Sequence, residues 1–382
     1  MSSEVGPLGE GLAVVTEQLA EFGGVERIAE TVMTRFPAAT LAAGHFAPAP
    51  GFPPDEFEAR LRDRGSRGPA LSLIGGGRVP RRHFLAPLYA QRARALRLDG
   101  AAAVLSLGGM GWTLAVGAPP GARHVAYVGG PPRAYWGHTR QYLREYHSAV
   151  RPLIRASMPA LRAQYRAQLR RPLALATNSA ASARAIESVA GIRPQIMYPP
   201  VRTGFFTPPP EPPRQRHFLV VARLRAHKRV DVIVEAFRRL GEPLVVAGEG
   251  PWRDRLLADA PPNVTFAGHV GDADLRTLYR ESRAIVSASI EEFGLCLAEA
   301  QAAGVPVVAP NAGGSVEIVR PDETGVLFDT VDPESVERAV RRLARLEIDP
   351  AACRRYAMRF SEERFVAELE DMLALPAAKL AS

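Results

Sequence analysis

Cysteine is almost missing from this chain: Cys296 and Cys353 are the only two in 382 residues. Two cysteines exclude a disulfide framework and a cysteine-based zinc site. The opening MSSEVGPLGEG lacks a basic n-region followed by an apolar h-region, so the expectation is a cytoplasmic chain without a secretory signal. Long uncharged runs are scarce. The one stretch resembling a membrane span runs from Gly100 to Ala122, but it holds six glycines and two prolines, and its apolar pieces have strand length. A buried strand, a glycine-rich loop and a second short strand fit it better than a transmembrane helix. No G-x-G-x-x-G follows the first predicted strand, which weighs against a hydride-transferring dehydrogenase.

What is present is a globular composition, 47% hydrophobic and 23% charged. The length exceeds one ordinary core and suits two domains. The formal charge is +8, with arginine far outnumbering lysine. Such a surface attracts nucleic acid, anionic lipid or phosphorylated small molecules, and the charge alone does not choose among them.

The second half alternates strand and helix without interruption. HFLVVARL (217–224) is an apolar strand without alternation, as in a parallel sheet covered on both faces. VDVIVEAFRRLG (230–241) follows at helical spacing and ends in glycine. PLVVAGEG, NVTFAGHV, AIVSAS and VPVVAP read as further strands, with helices WRDRLLADA, DADLRTLYRES and GLCLAEAQAAG between them. The pattern predicts a doubly wound parallel sheet with its ligand edge at the C-terminal ends of the strands. The first half alternates less cleanly: LAVVTEQL, AAAVLSL, RHVAYV and LALATNS as strands, VERIAETVMTRF as a helix, and a long arginine-rich helical region over 137–171. The proline-dense segment 198–216 reads as an extended linker. The expected division is therefore 1–205 and 214–360, two Rossmann-like α/β domains facing a central cleft, with a last helix inside 361–382.

Two places can carry chemistry. In VARLRAHKRV, Arg223 closes a strand and Lys228 precedes the next helix; two cations at this edge suit a diphosphate, and equally suit a solvated surface. In SIEEFGLCLAEAQAAG, Glu291 lies in a loop, Gly294 permits close backbone approach, and a helix starts near Leu295. That helix's amides and dipole favour a phosphate. Glu291 and Glu299 then stand on either side of it, spaced for the hydroxyls of a sugar–diphosphate–ribose ligand; the bland alternative is two helix-surface glutamates.

The pieces VARLRAHKRVD, VVAGEGP, NVTFAGHV, EEFGLCLAEAQAAGVPVVAPNAGGSVEIV and ETGVLF, in that order, resemble the retaining GT-B glycosyltransferases of family 4. EEFGLCLAE resembles that family's E-x7-E motif. The likeness is close over roughly 217–330 and looser through ATNSAASARAI, IMYPPVRTGFF and FGGVERIAE. The acidic-Phe-Gly form and RLRAHKRVD are most similar to GDP-mannose-type mannosyltransferases. The resemblance implies that Arg223 and Lys228 hold the diphosphate and stabilise it as leaving group, and that Glu299 binds the ribose. It implies donor sugar and phosphate at Glu291, Phe293, Gly294 and Leu295. The base would sit against Gly268, His269 and Val270, and the phosphates would face Gly23 and Gly24. The last helix would cross back to the N-terminal, acceptor-side domain. The reaction would retain anomeric configuration by preorganised charge, without a side-chain nucleophile, essential metal or cofactor. GDP-mannose is the favoured donor, with UDP- and dTDP-sugars open; the acceptor is a hydroxyl of unassigned identity, and no nucleic-acid partner is expected.

One departure stands out. AYVGGPPRAYW (126–136) resembles the family's Y-x-H-x-P-x-R-x-x-W at Tyr127, Pro131, Arg133 and Trp136, but Gly129 stands where the family has a sugar-contacting histidine. With Gly130 and Arg133 it forms the expected sugar or acceptor loop. Three readings follow: an active enzyme in which Gly129 makes room, a substitute from His124 or His138, or a protein that binds a nucleotide sugar without transferring it. Residues 140–171 carry eight arginines against one glutamate, which suits either an anionic membrane face or a solvated helix face. The Asp272–Ala273–Asp274 triplet resembles a metal motif of another architecture but reads as an N-cap at Asp272 and a first-turn acid at Asp274.

Overall fold

The computed structural model describes residues 11–17, 19, 23–43, 86–137, 139–144, 146–209 and 216–374. The chain divides into two compact units, one of residues 1–198 with 365–382 and one of residues 199–364.

In the first unit a six-stranded sheet runs β2-β1-β3-β4-β5-β6. Its strands are β1 (Leu12–Thr16), β2 (Thr40–Ala43), β3 (Ala103–Leu107), β4 (Arg123–Val128), β5 (Ala174–Thr177) and β6 (Gln195–Ile196). All pairings are parallel. β1 and β3 are buried along their whole length, which is why their sequences are unbroken apolar runs. Helix α1 (Gly24–Arg35) lays Ile28, Val32 and Met33 on one face of the sheet. The same core contains Phe365, Leu369, Met372 and Leu373 of the final helix, Glu362–Ala374. Each such fully buried side chain contributes about 1.5–3 kcal/mol before conformational entropy is counted.

The stretch after β3 differs from expectation. No second strand follows; residues Trp112–Ala115 form a 3-10 turn. The Glu17 carboxylate at the end of β1 accepts from the amides of Gly109, Met110 and Gly111, at 3.3, 2.8 and 2.9 Å. Three amides drawn to one carboxylate curl the chain, and a strand needs those amides for its ladder.

The arginine-rich region folds as the helices Thr139–Arg144 and Arg151–Leu169, the second packing Ile154, Met158, Leu161 and Tyr165 inward. Several of its arginines hold the first unit together. Arg162 donates twice to the Tyr135 carbonyl (2.9 and 2.7 Å), Arg170 donates to Ala190 O at 2.8 Å, and Arg162 and Arg166 lie over Trp136. No described helix is long and apolar enough to cross a membrane.

The second unit's sheet runs β12-β11-β10-β7-β8-β9, again parallel throughout. Its strands are β7 (His217–Val221), β8 (Leu244–Ala247), β9 (Val264–Gly268), β10 (Ser282–Val286), β11 (Val307–Pro310) and β12 (Gly325–Phe328). Helix α2 (Val230–Leu240) buries Val230, Ile233, Val234 and Phe237, the apolar spacing read in the sequence, and Gly241 ends it at φ 69°. Helix α3 (Asp272–Arg280) precedes β10, and helix α4 (Leu295–Ala302) follows it.

Two expectations change here. Gly271, not Asp272, is the N-cap of α3; Asp272 is its first residue, and its carboxylate pairs with Arg202 at 2.7 Å. The segment expected as linker is packed over its described part. Phe206 is fully buried, Val201 N donates to Phe360 O at 2.8 Å, and Arg354 Nη1 donates to the carbonyls of Thr203, Phe206 and Ala302. Its prolines keep it extended, while its aromatics and arginines fasten it to the second unit.

Candidate active site

Strands β7 and β10 are neighbours in the second sheet, and the strand order reverses between them. A doubly wound sheet opens a crevice at that point, outside the C-terminal ends of the strands. The loops leaving β7 and β10 carry five of the candidate residues: Arg223, Lys228, Glu291, Phe293 and Gly294.

After β7 the chain passes Arg223, two residues beyond the strand end rather than closing it, and makes a 3-10 turn at Ala226–Lys228. Arg229 then adopts φ 51° before α2 begins. A non-glycine residue in that region is strained by about 1 kcal/mol or more and persists where its surroundings dictate the backbone. The segment just after β7 is fastened to the loop after β8. Ala222 N donates to Ala247 O at 3.1 Å, and Leu224 N to Glu249 O at 2.8 Å. The fit requires glycine: a Cβ on Gly248 would meet Ala222 O at 2.0 Å. The β8 loop is fastened in turn to the end of β9, since Gly248 N donates to Gly268 O at 2.7 Å. Gly268 has φ 68°, His269 is exposed and Val270 is half-buried.

After β10, Ser289 donates to His227 O at 3.3 Å, tying this loop to the β7 turn. The Glu291 carboxylate accepts a short hydrogen bond from Lys228 Nζ, an ion pair whose two side chains are 20% and 25% exposed. Phe293 is buried edge-on against Phe360, with centroids 5.2 Å apart. Gly294, at φ 106°, then turns the chain into α4 as its N-cap, a residue with no side chain of its own to cap the helix. The loop is held from behind by the backbone of Gly313 and Gly314. Gly314 N donates to Glu291 O at 3.0 Å, and a Cβ on Gly314 would meet Phe293 O at 2.2 Å. The Lys228–Glu291 ion pair and the start of α4 thus share one corner of the sheet edge, the Arg223 segment following the neighbouring strand. Cations and a helix N-terminus there match a diphosphate.

Glu299 lies one turn into α4 and is buried rather than on the helix surface. Tyr279 of α3, fully buried, donates to Glu299 Oε2 at 3.2 Å. Burial, and then the Glu299 charge, hold the Tyr279 phenol well above its ordinary pKa, so it stays a donor. Burial, and then the Glu291 and Glu299 charges, push the half-buried Cys296 thiol up to about 12, so it stays protonated at neutral pH.

In the first unit the expected residues lie at the start of a helix and just after a strand. Gly23 is the N-cap of α1, its carbonyl accepting from Arg27 N at 3.0 Å, and Gly24 is the first helical residue. Gly129 and Gly130 follow directly on β4, and Arg133 is exposed. His124 is not a surface histidine able to swing toward a ligand. It is buried on β4, and its Nε2 lies 2.8 Å from Ser106 Oγ, whose proton goes to Thr113 O. His138 lies outside the described residues.

Sequence reading missed Tyr279, Glu17, Ser289 and the roles of Gly248, Gly313 and Gly314. The glycine pairs stood inside AGEGP and NAGGS, so a signal existed for them. Glu17 meets Gly109–Gly111 across more than 90 residues, and no local pattern marks that contact.

Two α/β units, each built on a parallel six-stranded sheet wound on both sides, define the GT-B architecture. Residues 202–360 match the family model for Glycosyl transferases group 1, so the second unit carries a domain of that kind. Among curated proteins, the chain is 34% identical over 113 residues to the GDP-mannose-dependent alpha-mannosyltransferase of Corynebacterium glutamicum, covering 29% of this chain and 27% of that one. It is 31% identical over 246 residues to the D-inositol 3-phosphate glycosyltransferase of Geodermatophilus obscurus, 54% of each chain. The chain thus spans between a quarter and about half the length of the curated relatives it matches. Among solved structures it is similar to Anabaena Alr3699/HepE in complex with UDP and glucose, with TM-score 0.67, 16% identity and 95% of this chain and 99% of that one covered. It also resembles the sucrose-phosphate synthase of Thermosynechococcus elongatus, at TM-score 0.62 and 16% identity over 93% and 94% of the chains.

Proposed function

We propose that this chain is a family 4, retaining glycosyltransferase that moves a sugar from a nucleotide-diphosphate sugar to a hydroxyl acceptor. GDP-mannose is the favoured donor. The observation that carries the reading is the Lys228–Glu291 pair at the switch point of the second sheet, set beside the glycine-capped N-terminus of α4. The mannosyltransferase relatives named for GDP-mannose support the donor assignment, and the domain match supports the reaction class.

In this reading Lys228, Arg223 and the α4 dipole stabilise the negative charge that grows on the departing diphosphate. The bond from the anomeric carbon to the diphosphate oxygen breaks. The acceptor oxygen bonds to the same face of that carbon, and its proton passes to the departing phosphate oxygen. Glu291 accepts from donor-sugar hydroxyls and keeps the Lys228 ammonium in place; Glu299 accepts from the ribose. Gly129 stands where the resemblance expects an imidazole, so in this reading the diphosphate clamp supplies most of the rate. In this reading the chain acts in the cytoplasm, and the exposed arginines of 140–171 form a solvated helix face that an anionic membrane could also meet.

The test is nucleotide release and thermal shift with GDP-mannose, UDP-glucose and a dTDP-sugar, with cell-extract acceptors and without added metal. Acceptor-dependent release of GDP from GDP-mannose is expected. Binding to none of the donors would falsify the donor site; binding without release or transfer under any acceptor makes the chain a binding protein. Gly129→His separates decay from adaptation: a variant that gains activity absent from the wild type means the loop has decayed.

A further inference from the structure

Glu299 sits on a short helix that is held at several points, and one of them is polar. Tyr279 reaches it from α3, and its hydroxyl is the donor to Glu299 Oε2. The Tyr279 ring stands edge-on to Phe206, with centroids 5.4 Å apart and planes 79° apart. Phe206 is itself fully buried, and its carbonyl accepts from Arg354, which also bonds Ala302 at the end of α4. Arg280, the residue after Tyr279, donates to Thr207 O and Thr207 Oγ1, both at 2.8 Å. The segment 203–207 therefore braces α3 and α4 against each other, with Tyr279 and Phe206 between them.

A carboxylate on a helix has free rotation at its terminal bond, and binding two vicinal hydroxyls requires one setting of it. A fixed donor on one oxygen selects that setting before ligand arrives, which lowers the ordering cost of binding. We infer that Tyr279, braced by Phe206, is a positioning residue that presets the Glu299 carboxylate for the vicinal hydroxyls of a nucleotide ribose. The inference rests on the ribose role given to Glu299 above and extends it to two residues outside the motif.

The experiment compares affinities of the full chain for GDP and for 2′,3′-dideoxy-GDP by calorimetry. The wild type is expected to prefer GDP by about tenfold or more, the worth of a hydrogen bond to a charged group. Tyr279→Phe keeps the ring and removes the hydroxyl. It is expected to shrink that preference about threefold or more while leaving the dideoxy affinity unchanged. Glu299→Ala should abolish the preference. Phe206→Leu removes the ring on which Tyr279 leans and touches neither polar group; it should shrink the preference in the same direction and serves if Tyr279→Phe yields no folded protein. A merely structural Tyr279 would lower both affinities alike or neither, and either result overturns the positioning role. A wild type that binds both nucleotides equally overturns the ribose assignment itself and the positioning role with it. A wild-type preference that survives Tyr279→Phe intact overturns the positioning role alone.

Discussion

Lys228 donates to Glu291 across 63 residues of sequence, joining the loop after β7 to the loop after β10. Both side chains are about three-quarters buried, so water screens the pair only in part. Removing Lys228 separates its two roles by magnitude. Lys228→Met should cost about 1 kcal/mol of stability or less, since Glu291 retains access to water. Turnover with a nucleotide sugar should fall about 100-fold or more, the usual cost of one preorganised donor to a developing anion. Urea unfolding beside nucleotide release measures both; equal, small effects would reduce the pair to a surface ion bridge.

The Gly314 backbone supports the Glu291 loop so closely that no side chain fits. Gly314→Ala puts a Cβ 2.2 Å from Phe293 O and 2.3 Å from Phe293 Cα, and backbone atoms cannot step aside cheaply. A loss of about 2–3 kcal/mol is expected, together with weaker nucleotide binding. Gly204→Ala, whose Cβ would meet nothing within 4 Å, is the control and should change stability by about 0.5 kcal/mol or less.

In the first unit, Glu17 satisfies three loop amides from a buried position. Glu17→Ala should cost about 3 kcal/mol, because each buried amide left without an acceptor costs about 1–3 kcal/mol and the loop relaxes only in part. Hydrogen exchange at Met110 and Gly111 should accelerate more than at β3. Unchanged exchange there would show that the loop keeps its shape without the carboxylate.

His124 makes the first unit acid-sensitive. Ser106 gives its proton to Thr113 O, so His124 Nε2 is the donor to Ser106 Oγ and Nδ1 takes up the added proton in acid. Burial, with Arg171 nearby, lowers His124 to about 4 from the ordinary 6.5. Between these values the unfolded chain binds a proton that the folded chain refuses. Stability is therefore complete above pH 6.5, declines from there to about pH 4, and is level for this group below that. The full loss is about 3 kcal/mol. His217, buried in the second unit and also lowered by burial, acts with the same sign. Denaturant melts from pH 7 to 4 on the wild type and His124→Gln should show a shallower slope for the variant.

Much of the fold was legible because its signals are local. Buried parallel strands have no polar face, so LAVVT, AVLSL, HFLVV and VVAP announce themselves as short apolar runs, and helices such as 230–240 carry their period and their terminal glycine in sequence. What misled was equally physical. The 112–115 stretch looks like a strand because it is apolar; it folds as a 3-10 turn, and the Glu17 carboxylate, far away in sequence, takes the amides of residues 109–111 just ahead of it. Prolines made 198–216 look like a free linker, because its anchoring partners, Asp272, Thr207 with Arg280, and Arg354, lie outside or across it.

The sequence by itself determined two doubly wound α/β domains, since residue type and spacing along one chain suffice for that; Arg223, Lys228, Glu291 and Glu299 stood out as candidates through their resemblance to a family motif, their spacing alone leaving a solvated surface open. Only the tertiary structure decided that Lys228 and Glu291 meet, that Glu299 is buried under Tyr279, and that His124 is locked in the core. Those facts depend on the order of strands in a sheet. Strand order is set by burial summed over the whole chain, and no local pattern encodes it.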